Sequence, residues 1–129
     1  TAVAQPPAAT KLKTRTKAVG FQILATSPEH LLHGLRSGAT AIAPSFAACA
    51  PQACYEVYAA WKDGDQPLAD EKQQRLAAAA AFAESLGPAA YKFGCDLNGY
   101  YGGPARLPCI PLSANERNDL QQRMHPLRT

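Results

Sequence analysis

The sequence is poor in the patterns that usually announce chemistry. It contains no GxSxG elbow, no HExxH zinc motif and no GxGxxG phosphate loop. Its cysteines, Cys49, Cys54, Cys95 and Cys109, form no CxxC pair, and no histidine stands at zinc spacing from them. Such thiols read as small buried side chains in a reduced, cytoplasmic compartment, and neither a metal nor a cofactor is expected. No apolar run approaches the ~20 residues of a membrane helix, and the N-terminus lacks the apolar core of a signal peptide, so no membrane partner is expected. Charge is modest as well, at +3 over 129 residues. Lys11, Lys13, Arg15 and Lys17 make a basic run without an acid among them. Four spaced charges read as a solvated helix face or frayed terminus, not as a nucleic-acid site. Glu29 and His30, with His33 a turn later, read likewise as helix surface and not as metal ligands.

What is present is an alternation of strand-length and helix-length segments. Residues 1–20 carry the Pro6-Pro7 pair and the basic run and are expected to form a poorly ordered lead-in. Phe21 to Ala25 is a short apolar run of strand length. Ser27-Pro28-Glu29 reads as N-cap, first helical proline and early acid of a helix that stops at Gly38. Thr40 to Phe46 is a second strand-length run, and Pro44 suits it only near the strand's C-terminal end. Pro51 opens a helix with Cys54, Val57, Tyr58 and Trp61 on one stripe, closed by Gly64. Asp65 to Leu86 is a long helix with Leu76, Ala80, Ala83 and Leu86 on one face. Gly87-Pro88 breaks it, Ala89 to Leu97 forms a short helix, and Ser113 with Glu116 reads as the capping box of the last one. Strand, helix, strand, helix at 21–64 predicts right-handed βαβ units with a parallel sheet, and 65–129 a helical extension.

The densest signal is Asp96-Leu97-Asn98-Gly99-Tyr100-Tyr101-Gly102-Gly103-Pro104-Ala105-Arg106-Leu107-Pro108. Three glycines and two prolines in thirteen residues exclude a regular element and predict an ordered loop, with the adjacent tyrosines expected to pin it by packing. With Gly38-Ala39-Thr40 and Phe46-Ala47 before Ala50-Pro51, in the same order, this loop resembles the C-terminal end of the dihydrodipicolinate synthase/N-acetylneuraminate lyase family. Within that family it is most similar to the 4-hydroxy-2-oxoglutarate aldolase-like branch.

The resemblance spans about Phe21 to Arg123. It implies an α/β fold: the last two β/α units of a TIM (β/α)8 barrel followed by a three-helix extension. A complete barrel needs ~250 residues, so the chain is expected to be the C-terminal segment of a pyruvate-dependent class I aldolase/lyase, acting on a 2-oxo acid only within a complete barrel. The alternative is a non-catalytic assembly or binding module of the same origin. In either case the expected partner is a second copy or the complementary barrel portion.

The family forms a Schiff base through a lysine on the sixth strand, and the iminium so formed withdraws electrons from the adjacent C–C bond. That motif would fall at or before Val3-Ala4-Gln5-Pro6-Pro7, which contains no lysine. Lys11, Lys13 and Lys17 align with the following helix, and Lys92 with a helical lysine that pairs locally. No catalytic residue is therefore expected here. Thr26 stands where the family usually has glycine, and Ala43 where it has a larger aliphatic near the 2-oxo acid, which makes Thr26 and Ala43 the expected substrate-lining positions. Ala47-Ala48 replaces the family's Ala-Asn and removes an amide that would order its loop.

Overall fold

The computed structural model describes residues 22–127; the lead-in, Phe21 and the basic run fall outside the described residues. Strand β1 (Leu24–Ala25) and strand β2 (Ala41–Ile42) form a parallel pair in the register Leu24 to Ala41 and Ala25 to Ile42. Between them lies α1 (Leu31–Arg36), and after β2 a 3-10 turn (Ser45–Ala48) leads into α2 (Pro51–Lys62), α3 (Gln66–Leu86), α4 (Pro88–Leu97) and α5 (Ala114–Met124), ending in a 3-10 turn (His125–Leu127). The described residues are mostly helical with one small sheet.

Both strands are shorter than the apolar runs that predicted them. Pro44, at φ −75° and ψ 141°, lies two residues beyond β2, and the chain then turns so that Phe46 drops fully into the core. Helix α1 also begins later than Pro28. Ser27 does not cap it: the Ser27 carbonyl accepts from the His30 amide, and the cap residue His30 offers no side-chain bond. The first turn is held from elsewhere. Gln73 on α3 accepts the Leu32 amide at 2.8 Å and donates to the Pro28 and Glu29 carbonyls at 3.0 and 3.2 Å.

The helical part follows its sequence signals closely. Asp65 caps α3 by accepting from the Leu68 amide. Gly87, at φ 77°, ends α3 and starts α4 in a conformation that side chains rarely adopt. Ser113 and Glu116 bond reciprocally to each other's backbone amides at the start of α5.

Along α2 the buried face is Ala53, Cys54, Val57 and Ala60. Tyr58 and Trp61, expected on that stripe, sit half-buried beside it with their rings 6.1 Å apart. On α3 the buried positions are Ala69, Leu76, Ala79, Ala80 and Ala83. The two helices meet through these small residues, with Leu120 and Met124 of α5 completing the same core. The Lys72–Glu56 bridge at 2.8 Å spans α3 and α2. The Arg36–Asp70 bridge at 3.1 Å ties α1 to α3 but is about half exposed, so it stabilises little.

Close packing is strictest at Gly94 of α4. A Cβ there would lie 2.5 Å from Cys49 Sγ and 2.8 Å from Cys49 Cβ. Gly94→Ala should therefore lower stability although alanine favours helix. Overpacking costs about 1–3 kcal/mol and the propensity gain returns about 1 kcal/mol. Urea unfolding of the two proteins measures the difference; an unchanged or higher midpoint would show that Cys49 can yield.

Candidate functional site

Parallel strands bring their C-terminal ends to the same edge. Here the ladder closes with the Thr40 amide donating to the Ile23 carbonyl at 2.9 Å and the Ala43 amide to the Ala25 carbonyl at 2.8 Å. Thr26 and Ala43 therefore leave the sheet as neighbours, each one residue beyond its strand and each exposed. The pairing brings together two positions seventeen apart in sequence. Neither carries a titratable group, and a hydroxyl beside a methyl can shape or bind a ligand but cannot drive proton transfer at neutral pH.

Beside the loop after Ala43 stand two hydroxyls that sequence reasoning missed, Ser45 on the loop's 3-10 turn and Tyr91 on α4. Ser45 Oγ and Tyr91 Oη lie 3.5 Å apart, at the outer limit of a hydrogen bond, while the Tyr91 ring meets Phe46 edge-on at 6.4 Å. This loop also corrects the expectation attached to Ala47-Ala48. An amide does order it, but from another element: Asn98 Nδ2, at the end of α4, donates to the Cys49 carbonyl and, at 3.2 Å, to the Gly94 carbonyl. No local spacing could have shown this contact, which joins residues 49 apart.

Lys92 behaves as a locally paired lysine, with Nζ donating to the Gly102 carbonyl at 2.8 Å. Asp96 Oδ1 accepts the Gly102 amide at 2.7 Å, so both polar groups of that glycine are bonded. A Cβ on Gly102 would come within 2.8 Å of the Lys92 Cα and carbonyl carbon, and closer to the carbonyl oxygen. The loop is pinned by this backbone approach and not by its aromatics. Tyr100 and Tyr101 are 65% and 87% exposed, which overturns the expectation that they pack it.

Cys49 and Cys54 are buried. Burial, and then the neighbouring Cys95 and Cys54 thiols, push Cys49 up to about 12; burial alone pushes Cys54 up to about 11. Both stay protonated at neutral pH and are poor nucleophiles. Among the described residues no three His, Cys, Asp or Glu side chains converge as a metal site, and no helix is long and apolar enough to cross a membrane. A broad open groove of about 810 Å³ runs between Pro51, Tyr55, Asn98, Tyr100 and His125, but neither Thr26 nor Ala43 lines it.

Comparison with known proteins accounts for this arrangement of strands and helices. The model of the dihydrodipicolinate synthetase family matches residues 4–126. A 4-hydroxy-tetrahydrodipicolinate synthase from Gluconacetobacter diazotrophicus is 40% identical over 70 residues, covering 53% of this chain and 23% of that protein. The chain superposes on N-acetylneuraminate lyase from Proteus mirabilis with a TM-score of 0.76 at 22% identity, covering 95% of this chain and 42% of that one. It superposes equally on a prophage protein of the dihydrodipicolinic acid synthase family from E. coli K12, solved in complex with pyruvate. There the TM-score is 0.77 at 20% identity, over 98% of this chain and 44% of that one. The chain thus spans less than half the length of the relatives it matches.

The two accounts of the glycine loop differ in what they expect of substitutions. Gly102→Ala should lower the thermal midpoint by several degrees, since a tight contact with main chain can be relieved only by moving the loop. Replacing Tyr100 and Tyr101 together by alanine should shift it little, because exposed side chains away from special contacts change stability by about 0.5 kcal/mol or less. Calorimetry of both variants checks this; a large loss in the tyrosine double variant alone would restore the aromatic account.

Proposed function

From the chain's membership of the dihydrodipicolinate synthetase family, matched over residues 4–126, we propose that it serves as the C-terminal segment of a pyruvate-dependent Schiff-base aldolase or lyase, acting on a 2-oxo acid within a complete barrel. The observation that carries the reading is Thr26 beside Ala43, directly past the C-terminal ends of two parallel strands. Barrel enzymes assemble their sites from the loops at that end, using several strands at once.

In this reading residues 21–64 supply the last two β/α units and residues 65–129 the helical extension. The Schiff-base lysine comes from the complementary barrel portion. Its amine attacks the ketone carbonyl of the 2-oxo acid and water leaves. The iminium then accepts the electron pair of the adjacent C–C bond as that bond breaks, or stabilises the carbon nucleophile that forms it. Thr26 would line the substrate end with a hydroxyl, and the short Ala43 side chain would leave room beside it. The composition of the glycine-tyrosine loop favours the 4-hydroxy-2-oxoglutarate aldolase-like branch, and buried protonated thiols favour a cytoplasmic setting.

Borohydride reduction with pyruvate tests the division of labour. The chain alone should keep its mass. Mixed with the preceding six-strand portion of a relative, it should yield an adduct on that portion's lysine. A stable adduct on any lysine of this chain, or none in the mixture, would sink the reading.

A second reading, an assembly module, is favoured by the open strand edges and by Leu24, Leu107 and Ile110, which are 49%, 89% and 76% exposed. Both readings expect association with a copy or with a complementary barrel portion. At about 25 cal/mol per Å², a few hundred Å² of such surface favours contact by several kcal/mol before association entropy is subtracted. Light scattering at micromolar concentration should show species larger than 13.7 kDa. A monodisperse monomer with cooperative unfolding would mean that the core closes on itself.

A further inference from the structure

We infer that Gln73, on the helical extension, is a positioning residue for the turn that follows Thr26; its relevance to substrate rests on the function proposed above. Thr26 is joined to α1 only by the turn from Ser27 to His30, whose single internal backbone bond runs from the His30 amide to the Ser27 carbonyl at 3.1 Å. Such a turn is not fixed by its own sequence: His30 caps α1 without a side-chain bond, and α1 has six residues. A short helix with an uncapped start frays in isolation.

Gln73 supplies from 41 residues away what the turn lacks. One carboxamide uses both ends at once. Oε1 accepts the Leu32 amide at 2.8 Å, a free donor of the first turn, and Nε2 donates to the Pro28 and Glu29 carbonyls at 3.0 and 3.2 Å. Acceptor and donors leave one planar group, so the distance between the carbonyls of the turn and the Leu32 amide in the first turn of the helix is set by the side chain itself. Pro28 and Leu32 are buried while Gln73 and Glu29 are half-buried, so water reaches these bonds only from one side and replaces them at a cost. Glutamine is the one residue of this length that is donor and acceptor without charge.

The dual role predicts a pattern across substitutions that a packing role would not give. Gln73→Leu keeps the volume and loses every bond; Gln73→Glu keeps the acceptor and loses the donors; Gln73→Lys keeps donors and loses the acceptor. Residue-level hydrogen exchange by mass spectrometry, which tolerates association, reads the Leu32 amide for the helix start and the His30 amide for the turn. In Gln73→Leu both should exchange about tenfold faster, which is what losing one ordinary hydrogen bond does to an opening equilibrium. In Gln73→Glu only His30 should speed up, and in Gln73→Lys only Leu32, while α5 stays protected in all three. Equal changes in all variants, or no change, would overturn the inference. In the assembled enzyme Gln73→Leu should raise KM for the 2-oxo acid more than it lowers kcat. An unchanged KM with a displaced turn would remove Thr26 from the substrate site and still leave Gln73 as the residue that holds the turn.

Discussion

The close seating of α3 against α2 is the constraint on which the remaining contacts depend. The buried positions of α3 are four alanines and one leucine, and those of α2 are two alanines, a cysteine and a valine. Small side chains let two helix backbones approach until other groups on the same helices come within bonding reach. Gln73 lies one turn before Leu76, and its three bonds are all 3.2 Å or shorter. A hydrogen bond fades within a few tenths of an ångström beyond that range. A bulkier face on α3 would move the helix outward by more than this margin, and the clamp on the first turn of α1 would be lost.

The same economy of space governs the other end of the core. Gly94 admits the Cys49 side chain where any Cβ would collide, and the contact brings the Cys49 carbonyl to the Asn98 amide at the end of α4. Gly102 admits the Lys92 backbone and is bonded at both its amide and its carbonyl. Each of the two loops that follow the strands is thus held by a polar side chain of the helical extension, Gln73 for the first and Asn98 for the second, while Lys92 and Asp96 hold the glycine loop after α4. The strands offer positions, and the extension fixes them. This division explains how a two-stranded sheet with two residues per strand can present an ordered edge at all, since a lone strand pair is marginal in water.

Among the described residues, Thr26 and Ala43 bring no titratable group to the strand ends. Thr26 and Ala43 stand side by side, Ser45 and Tyr91 bring their hydroxyls together beside the second loop, and the buried thiols are held protonated. A Schiff-base aldolase needs an amine of lowered pKa in a dry pocket, and the three described lysines are engaged elsewhere: Lys62 lies over the Tyr58 ring, Lys72 pairs with Glu56 and Lys92 bonds the Gly102 carbonyl.

Most of the helical architecture was legible in the sequence because its signals are local. Prolines at helix starts, Asp65 and Ser113 as caps, Gly87 as a break, and the three-to-four spacing along α2 and α3 each act through neighbours a few residues away. The glycine loop and its family resemblance were legible for the same reason, and so was the parallel pair of strands. The start of α1, the ordering of the loop around Ala47-Ala48 and the exposure of Tyr100 and Tyr101 were not. Each depends on what another element brings from 40 or more residues away, or on surface that no described residue covers. Sequence alone determined which segments are helices, where they stop and the core of each apolar face, such as Cys54 and Val57 on α2 and Leu76, Ala80 and Ala83 on α3. Tertiary structure alone decided which side chains hold the strand ends, because a hydrogen bond between distant elements exists only where packing has already fixed their separation to within a fraction of an ångström.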